Sequence, residues 1–189
     1  MEAYFDFFNQ IHPIEKHSFE LLKASVKTVS FNKGEMIIVP GQVARNCYFV
    51  LTGVQMSFFE TESNSHVLAF TYNPSLCSIP ESFLNQSESK CYLKALTKSS
   101  MAEISYETLQ QLFNQSQDIE RLFRKLTESI LAGMINRHIE LQALSILERY
   151  QSFCNRSPHL LQLVPHKYIA SYLHINPTNF SKLYNNVKI

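Results

Sequence analysis

The sequence lacks the features that mark exported, membrane-spanning and disulfide-bonded proteins. No N-terminal segment pairs a basic start with an apolar run, and no stretch of about 18 consecutive apolar residues occurs. We therefore expect a cytoplasmic protein without a membrane partner. The cysteines are widely separated and have no CxxC spacing, which argues against a disulfide scaffold and a structural zinc site, so no metal ligand is predicted. They are Cys47, Cys77, Cys91 and Cys154.

Recognisable catalytic motifs are also missing from the sequence. Neither GxSxG nor HExxH occurs, and the serines, cysteines and histidines form no constellation of nucleophile, base and orienting group. We therefore predict that the protein is not an enzyme.

The C-terminal quarter of the chain has little negative charge. Residues 141–189 contain five basic residues and a single acid, Glu148, whereas residues 1–140 contain 12 basic and 15 acidic residues. The formal charges of the two parts are therefore +4 and −3. This asymmetry favours a polyanion as the partner of the C-terminal end, although a solvated basic face would have the same composition.

The N-terminal half of the sequence changes from helical to strand periodicity. Residues 2–24 predict short amphipathic helices, and residues 26–106 contain seven short runs rich in β-branched and aromatic residues. Turn signals separate these runs, among them Ser63-Asn64-Ser65, and three of the four glycines lie in this region. Short strands at regular intervals predict a sandwich or barrel, and a jelly roll is the natural candidate.

Residues 107 to about 142 contain a long helical pattern with two apolar stripes. One stripe can pack on the strands and the other on a second copy of the chain, where Gly133 would allow close approach. A capping-box pattern at Ser145 and Glu148 predicts a new helix and places a hinge between Glu140 and Ser145.

The last 26 residues, VPHKYIASYLHINPTNFSKLYNNVKI, predict two short helices around a tight turn. Asn176 can cap the second helix, and Pro177 suits its first position because the missing N–H would be unpaired there. The exposed face of that helix, ending near Val187, would carry short polar groups and one cation, which suit base edges and phosphates. The pattern supports a DNA-binding helix-turn-helix, and a helical hairpin that merely packs is the alternative.

These residues also carry a resemblance. YIASYL followed by Ile175, Pro177 and FSKL resembles the DNA-binding end of the Crp/Fnr family of transcription regulators, especially its shorter bacterial members. Lys33-Gly34-Glu35, Gly41 and the run YFVLTG resemble the cyclic-nucleotide-binding-type β-roll of the same family. The resemblance implies an α+β fold with three parts: an N-terminal jelly-roll domain over residues 1–106, a dimerisation helix region over 107–142 and a helix-turn-helix domain over 143–189. Most of the wing would be missing, because the chain ends about where the recognition helix should end.

The resemblance also assigns roles to individual residues by position. Thr178 and Lys182 match the glutamate and arginine that commonly contact bases, and His174 replaces a glycine that is frequent in the turn. The predicted DNA-binding residues are Lys167, Asn176, Thr178, Asn179, Ser181, Lys182 and Asn185. The predicted dimer interface comprises Leu122, Leu126, Ile130, Gly133 and Met134.

The expected effector pocket departs from the family pattern. In relatives that bind cyclic nucleotides, a Gly-Glu pair holds the ribose and an arginine followed by Ser or Thr holds the phosphate. Pro80-Glu81-Ser82 and Ser89-Lys90 occupy these places here, so the arginine is missing. The predicted pocket residues are Glu81, Ser82, Ser89 and Lys90. A cyclic nucleotide is therefore not expected to bind in the usual way, no cofactor is predicted, and the effector is another ligand, a protein or none.

Together these features predict a homodimeric, sequence-specific DNA-binding transcription regulator. Its expected partners are an inverted-repeat promoter site, a second copy of the chain and, as a further candidate, RNA polymerase. The alternative is a ligand- or protein-binding module that has lost specific DNA binding.

Overall fold

The computed structural model describes residues 1–62 and 64–186. Ser63, in a predicted turn, and Val187, at the predicted end of the last helix, lie outside the described residues, as do Lys188 and Ile189. The described residues form two compact units. One contains Met1–Ser57 and Phe70–Leu131, and the other contains Phe58–Ala69 and the described residues from Ala132 onward.

The predicted N-terminal helices are confirmed. Helix α1 spans Ala3–Ile11 and helix α2 spans Lys16–Ala24. Their apolar faces enter the core of the first unit, where Tyr4, Phe8 and Phe19 are almost fully buried. The Tyr4 hydroxyl donates to the carbonyl of Val50 over 2.8 Å and so anchors α1 on the strands.

The predicted β-rich region folds into two four-stranded sheets, so the jelly-roll prediction is confirmed. The strand orders are β1-β8-β3-β6 and β2-β7-β4-β5. In chain order the strands span Lys27–Phe31, Met36–Ile38, Asn46–Thr52, Val54–Glu60, Ser65–Tyr72, Leu76–Cys77, Tyr92–Ala95 and Ser99–Ser105. The two-residue strand β6 and the following short helix α3, Pro80–Asn85, were not predicted from the sequence.

The long helical region is interrupted once, which corrects the expectation of one continuous pattern. Helix α4 spans Tyr106–Gln115 and helix α5 spans Gln117–Ala143. The backbone of Ser116 is extended, and its hydroxyl accepts the Ile119 N–H over 3.3 Å and shares a 3.1 Å hydrogen bond with Ser18. A serine that satisfies the first free N–H groups of a helix favours a new helix start over continuation.

The described residues of the C-terminal part form four helices after α5. Helix α6 spans Ile146–Arg156, α7 Leu160–Leu163, α8 His166–Leu173 and α9 Pro177–Asn186. The predicted capping box is confirmed, because the Ser145 N–H donates to the Glu148 carboxylate over 2.8 Å and the Glu148 N–H donates to the Ser145 hydroxyl over 3.3 Å. Among the described helices none is long and apolar enough to cross a membrane.

Candidate nucleic-acid interface

The turn between α8 and α9 is built by three consecutive residues. His174 adopts a left-handed conformation with φ of 52°, which ends α8, and the Ile175 N–H returns to the carbonyl of Ala170 over 2.9 Å. The Asn176 side-chain oxygen accepts the Thr178 N–H over 2.9 Å, and α9 begins at Pro177. The predicted cap, helix start and turn are therefore confirmed.

A small core holds the two helices together. Ile169, Ala170, Leu173 and Ile175 are buried, and Phe180 anchors α9 in this core. The Phe180 ring lies 5.6 Å from the ring of Tyr150 on α6 and 5.3 Å from that of His166 on α8. One face of α9 is thus fixed by aromatic packing, and its opposite face is left to solvent.

The predicted DNA-binding residues all lie on the solvent-exposed surface of this helix pair. They are Lys167, Asn176, Thr178, Asn179, Ser181, Lys182 and Asn185. The Ser181 hydroxyl donates to the carbonyl of Pro177 over 3.0 Å, so its hydrogen is already used within α9. The Lys167 ammonium lies 5.0 Å from the centre of the Tyr168 ring, which keeps this cation beside the first turn of α8.

Two of the predicted effector-pocket residues are exposed and lie near one thiol. Glu81 and Lys90 are on the surface, and both act electrostatically on Cys91. Burial raises the pKa of the Cys91 thiol, Glu81 raises it further, and Lys90 partly offsets the change. The structure therefore brings the carboxylate and the cation into one neighbourhood.

The two serines of the predicted pocket are buried and occupied by internal hydrogen bonds. The Ser82 hydroxyl accepts the Ala44 N–H over 2.8 Å and donates to the carbonyl of Ser87 over 2.6 Å. The Ser89 hydroxyl donates to the carbonyl of Cys91 over 2.7 Å. Because a hydroxyl has only one hydrogen to donate, neither serine can give a hydrogen bond to a phosphate without breaking these contacts.

The predicted dimer residues on α5 divide into two groups. Leu122 and Leu126 lie in the core of the first unit with exposed fractions of 0% and 4%, because they pack against the chain's own residues. They have no surface to offer a partner in this arrangement. Met134 is 62% exposed, Ile130 is also exposed, and the space around Gly133 is open. The exposed stripe continues through Leu131, Ile135 and Ile139.

A charged network that the sequence did not indicate connects three helices of the second unit. The guanidinium of Arg137 on α5 donates to the carbonyl of Tyr172 on α8 and lies 4.1 Å from the centre of the Tyr172 ring. One carboxylate oxygen of Glu140 lies 3.5 Å from Nη1 of Arg137, and the other lies 3.1 Å from Nη1 of Arg156 on α6. Only the i, i+3 spacing of Arg137 and Glu140 could have suggested part of it.

Burial and charge act in opposite directions on this network. Burial acts to raise the pKa of Glu140, but Arg156, Ser152 and Arg137 together outweigh it, so the pKa lies below its usual value. Burial lowers the pKa of Arg137, and Tyr172 and Glu140 oppose the change. Glu140 therefore stays ionised and serves as the shared counter-ion of two guanidinium groups.

A polar recess of about 370 Å³ lies elsewhere, in the first unit. The carboxylate of Glu103 on β8 lines it and accepts a 2.7 Å hydrogen bond from the Asn46 amide. It also pairs with the Lys27 ammonium over 2.9 Å. Because this carboxylate already has two partners, the recess offers no unpaired charge to a ligand.

The strand order and the helices that follow define a known class of protein. Residues 28–116 match the family model described as the cyclic nucleotide-binding domain. The fold is that of a β-roll of this class followed by a long helix and a C-terminal helical group. The Crp/Fnr-type fold expected from the motif resemblance is confirmed.

Solved structures share this fold at low sequence identity. FixK2 from Bradyrhizobium japonicum is 16% identical with a TM-score of 0.74, over 85% of this chain and 83% of that one. The c-di-GMP responsive global regulator CLP of Xanthomonas campestris is 19% identical with a TM-score of 0.67, over 90% of each chain. The catabolite activator protein of Thermus thermophilus is 16% identical with a TM-score of 0.60, over 93% of this chain and 84% of that one. No curated protein matches the chain.

Proposed function

We propose that the protein is a sequence-specific DNA-binding transcription regulator that acts as a homodimer. The observation that carries this proposal is α9, a capped helix with one face fixed by Phe180 and the other lined with exposed polar groups and Lys182. Side chains of this kind can donate to and accept from base edges in the major groove. The second helix of a helix-turn-helix is the element that enters that groove.

Charge and relatives support the same role. Residues 141–189 have a formal charge of +4, which suits a DNA backbone. The relative from Xanthomonas campestris is described as a global regulator, and that from Thermus thermophilus as a catabolite activator protein. By analogy, residues 143–189 would read DNA, and RNA polymerase would be the partner through which a bound dimer acts on a promoter.

The proposed dimer uses the exposed stripe of α5. Within residues 107–142, Ile130, Gly133 and Met134 would contact the same residues of the second copy. Leu122 and Leu126 would hold the helix on the core of their own chain. An exposed row of large apolar side chains on one helix is unusual in a monomer and fits a twofold helix pair.

The β-roll of residues 1–106 would sense an effector other than a cyclic nucleotide bound in the usual way. The arginine of the nucleotide-binding pattern is replaced, and the hydroxyl hydrogens of Ser82 and Ser89 already have acceptors. A ligand of different chemistry or a protein would contact Glu81 and Lys90, which are exposed at the surface.

The proposal is tested by selecting binding sites from a random duplex library with the full-length protein. We expect enrichment of an inverted repeat whose half-sites lie one helical turn apart, about 34 Å, because two copies of α9 must enter successive major grooves. Failure to enrich any sequence at moderate salt would favour the alternative, a ligand- or protein-binding module that has lost specific DNA binding. Thr178, which stands where relatives have glutamate, is the residue that favours this alternative.

Replacing Lys182 with Ala tests the role of its cation. We expect anisotropy titrations on the selected site to show roughly tenfold weaker binding, or about 1.4 kcal/mol. If Lys182 contacts a phosphate, the salt slope falls by about one, and if it reads a base, one base preference relaxes. Lys33→Ala, which also removes an exposed cation but from a turn of the β-roll, is the matched control and should bind like the unaltered protein.

A further inference from the structure

Ser171 on α8 makes an unusual pair of hydrogen bonds to strand β5. Its hydroxyl accepts the N–H of Val67 over 3.1 Å and donates to the carbonyl of Ser65 over 2.9 Å. All three residues belong to the second compact unit, which includes Phe58–Ala69. One oxygen atom therefore satisfies a donor and an acceptor of the same strand.

The position of β5 explains why this contact is specific. The strand lies at the end of its sheet, next to β4, so no other strand among the described residues borders its outer backbone groups. One residue of a parallel neighbouring strand would make the same pair of bonds, donating to one carbonyl and accepting the N–H two residues along. The Ser171 hydroxyl takes the place of that residue, and a side chain without both a donor and an acceptor cannot do so.

The next residue of α8 is fixed from a different element. Tyr172 receives a hydrogen bond on its carbonyl from Arg137 on α5, and the guanidinium stacks on its ring. Glu140, bridged to Arg156 on α6, holds the guanidinium in place. Adjacent residues near the C-terminal end of α8 are thus tied to β5 on one side and to α5 on the other.

The tied segment lies immediately before the turn that leads into α9. None of these contacts involves the exposed residues Thr178, Asn179 and Lys182, so they hold the helix pair without covering its outer face. We infer that Ser171 and Arg137 are positioning residues, which fix α8 and α9 in the orientation that binds DNA. This inference rests on the proposed function, and it adds residues that would not themselves touch DNA.

Loss of either set of contacts, that of Ser171 with β5 or that of Arg137 with Tyr172, would lower the population of the orientation that binds DNA. The apparent dissociation constant rises by the same factor as that population falls. Removing a hydroxyl that makes two hydrogen bonds should lower this population, and so raise the apparent dissociation constant, roughly tenfold. Because the small core around Phe180 is untouched, the helices themselves should remain folded.

The test compares Ser171→Ala with Ser171→Thr in the full-length protein. Two measurements are made: hydrogen exchange of the Val67 amide and affinity for the selected DNA site. We expect Ser171→Ala to accelerate exchange at Val67 and to weaken DNA binding roughly tenfold, with an unchanged melting temperature. Ser171→Thr keeps the hydroxyl and should restore both values. Ser25→Ala, which removes a local hydroxyl hydrogen bond to Leu21 in the first unit, is the control and should change neither.

Arg137→Lys provides an independent variant of the second tie. It keeps the charge but loses the planar group that stacks on Tyr172, so it should also weaken DNA binding while Val67 exchange stays slow. Unchanged or tighter DNA binding by Ser171→Ala, with Val67 exchange accelerated, would overturn the positioning role. If the unaltered protein binds no DNA, the proposed function fails instead, and Val67 exchange still reports whether the tie exists in solution.

Discussion

At the scale of single residues, His174 links the stability of the fold to pH. Burial lowers its pKa below the usual value of about 6.5, and the nearby charges of Arg137, Arg149 and His66 lower it further. The unfolded histidine therefore takes up a proton at a higher pH than the folded one. The stability that this group contributes is present above about pH 6.5 and is lost as the pH falls from there toward the folded pKa.

Replacement of His174 with Asn should reduce this pH dependence. Asparagine tolerates the left-handed conformation and does not titrate, so the variant keeps the turn without the proton linkage. We expect the free energy of unfolding, measured with urea between pH 5 and pH 7.5, to change less steeply with pH than in the unaltered protein. Equal slopes for the two proteins would show that His174 is not the linked group.

Gly53 is a residue whose role depends on a close approach of two backbones. Its φ is +91°, and an added Cβ would lie 2.7 Å from the carbonyl oxygen of Lys98 and 2.8 Å from the Cα of Ser99. Gly53→Ala should cost about 2–4 kcal/mol, because steric overlap with backbone adds to the strained conformation. The measurement is the urea midpoint at neutral pH.

Gly34 provides the matched control for this substitution. Its φ is +90°, nearly the same, but no atom lies within 4 Å of the added Cβ. Gly34→Ala should therefore cost only the conformational part, about 1 kcal/mol. Similar losses for the two variants would mean that the overlap at Gly53 relaxes freely.

At the scale of elements, the exposed stripe of α5 makes a prediction about assembly. Met134→Glu places a charge at the centre of this stripe and should convert the proposed dimer into a monomer, measured by sedimentation at micromolar concentration. DNA affinity should fall with it, because one copy of α9 can fill only one half-site. Leu84→Glu changes a side chain on α3 with 53% exposure and should leave the assembly state unaltered. A dimer that survives Met134→Glu would place the interface elsewhere.

The sequence predicted elements best where the signal was local. The cap at Asn176, the start of α9 at Pro177 and the capping box at Ser145 depend on residues within one helical turn, and all are present. The break at Ser116 was missed because serine also occurs inside helices, and its contact with Ser18 joins positions far apart in the chain.

Candidate sites were less predictable because they depend on distant neighbours. An apolar spacing shows that Leu122 and Leu126 are covered, but it cannot show that the same chain covers them. The tie between Ser171 and β5 joins residues 104 apart in sequence. Nothing near Ser171 marks its hydroxyl as the partner of a strand, so this contact could be found only in the folded structure.

At the scale of the whole molecule, residues 28–116 match a family model named for cyclic nucleotides, but the predicted pocket residues depart from the nucleotide-binding pattern. We predict that millimolar cyclic AMP or cyclic GMP will raise the melting temperature by less than about 2 °C. The physical reason is that Lys90 cannot form the two-point contact of an arginine, and the pocket hydroxyls already donate elsewhere. A ligand with a micromolar dissociation constant would stabilise the fold by several kcal/mol at that concentration. A large increase in the melting temperature would show that this pocket binds a cyclic nucleotide.

The contact between Ser171 and β5 also bears on how the protein behaves at high concentration. A strand at the end of a sheet, with free N–H and C=O groups, is a template on which another chain can add a strand. The hydroxyl of α8 occupies two of these groups on β5. Movement of α8 away from β5 would therefore expose a surface for strand-by-strand self-association, and solubility would depend on the same hydrogen bonds that orient the last helix.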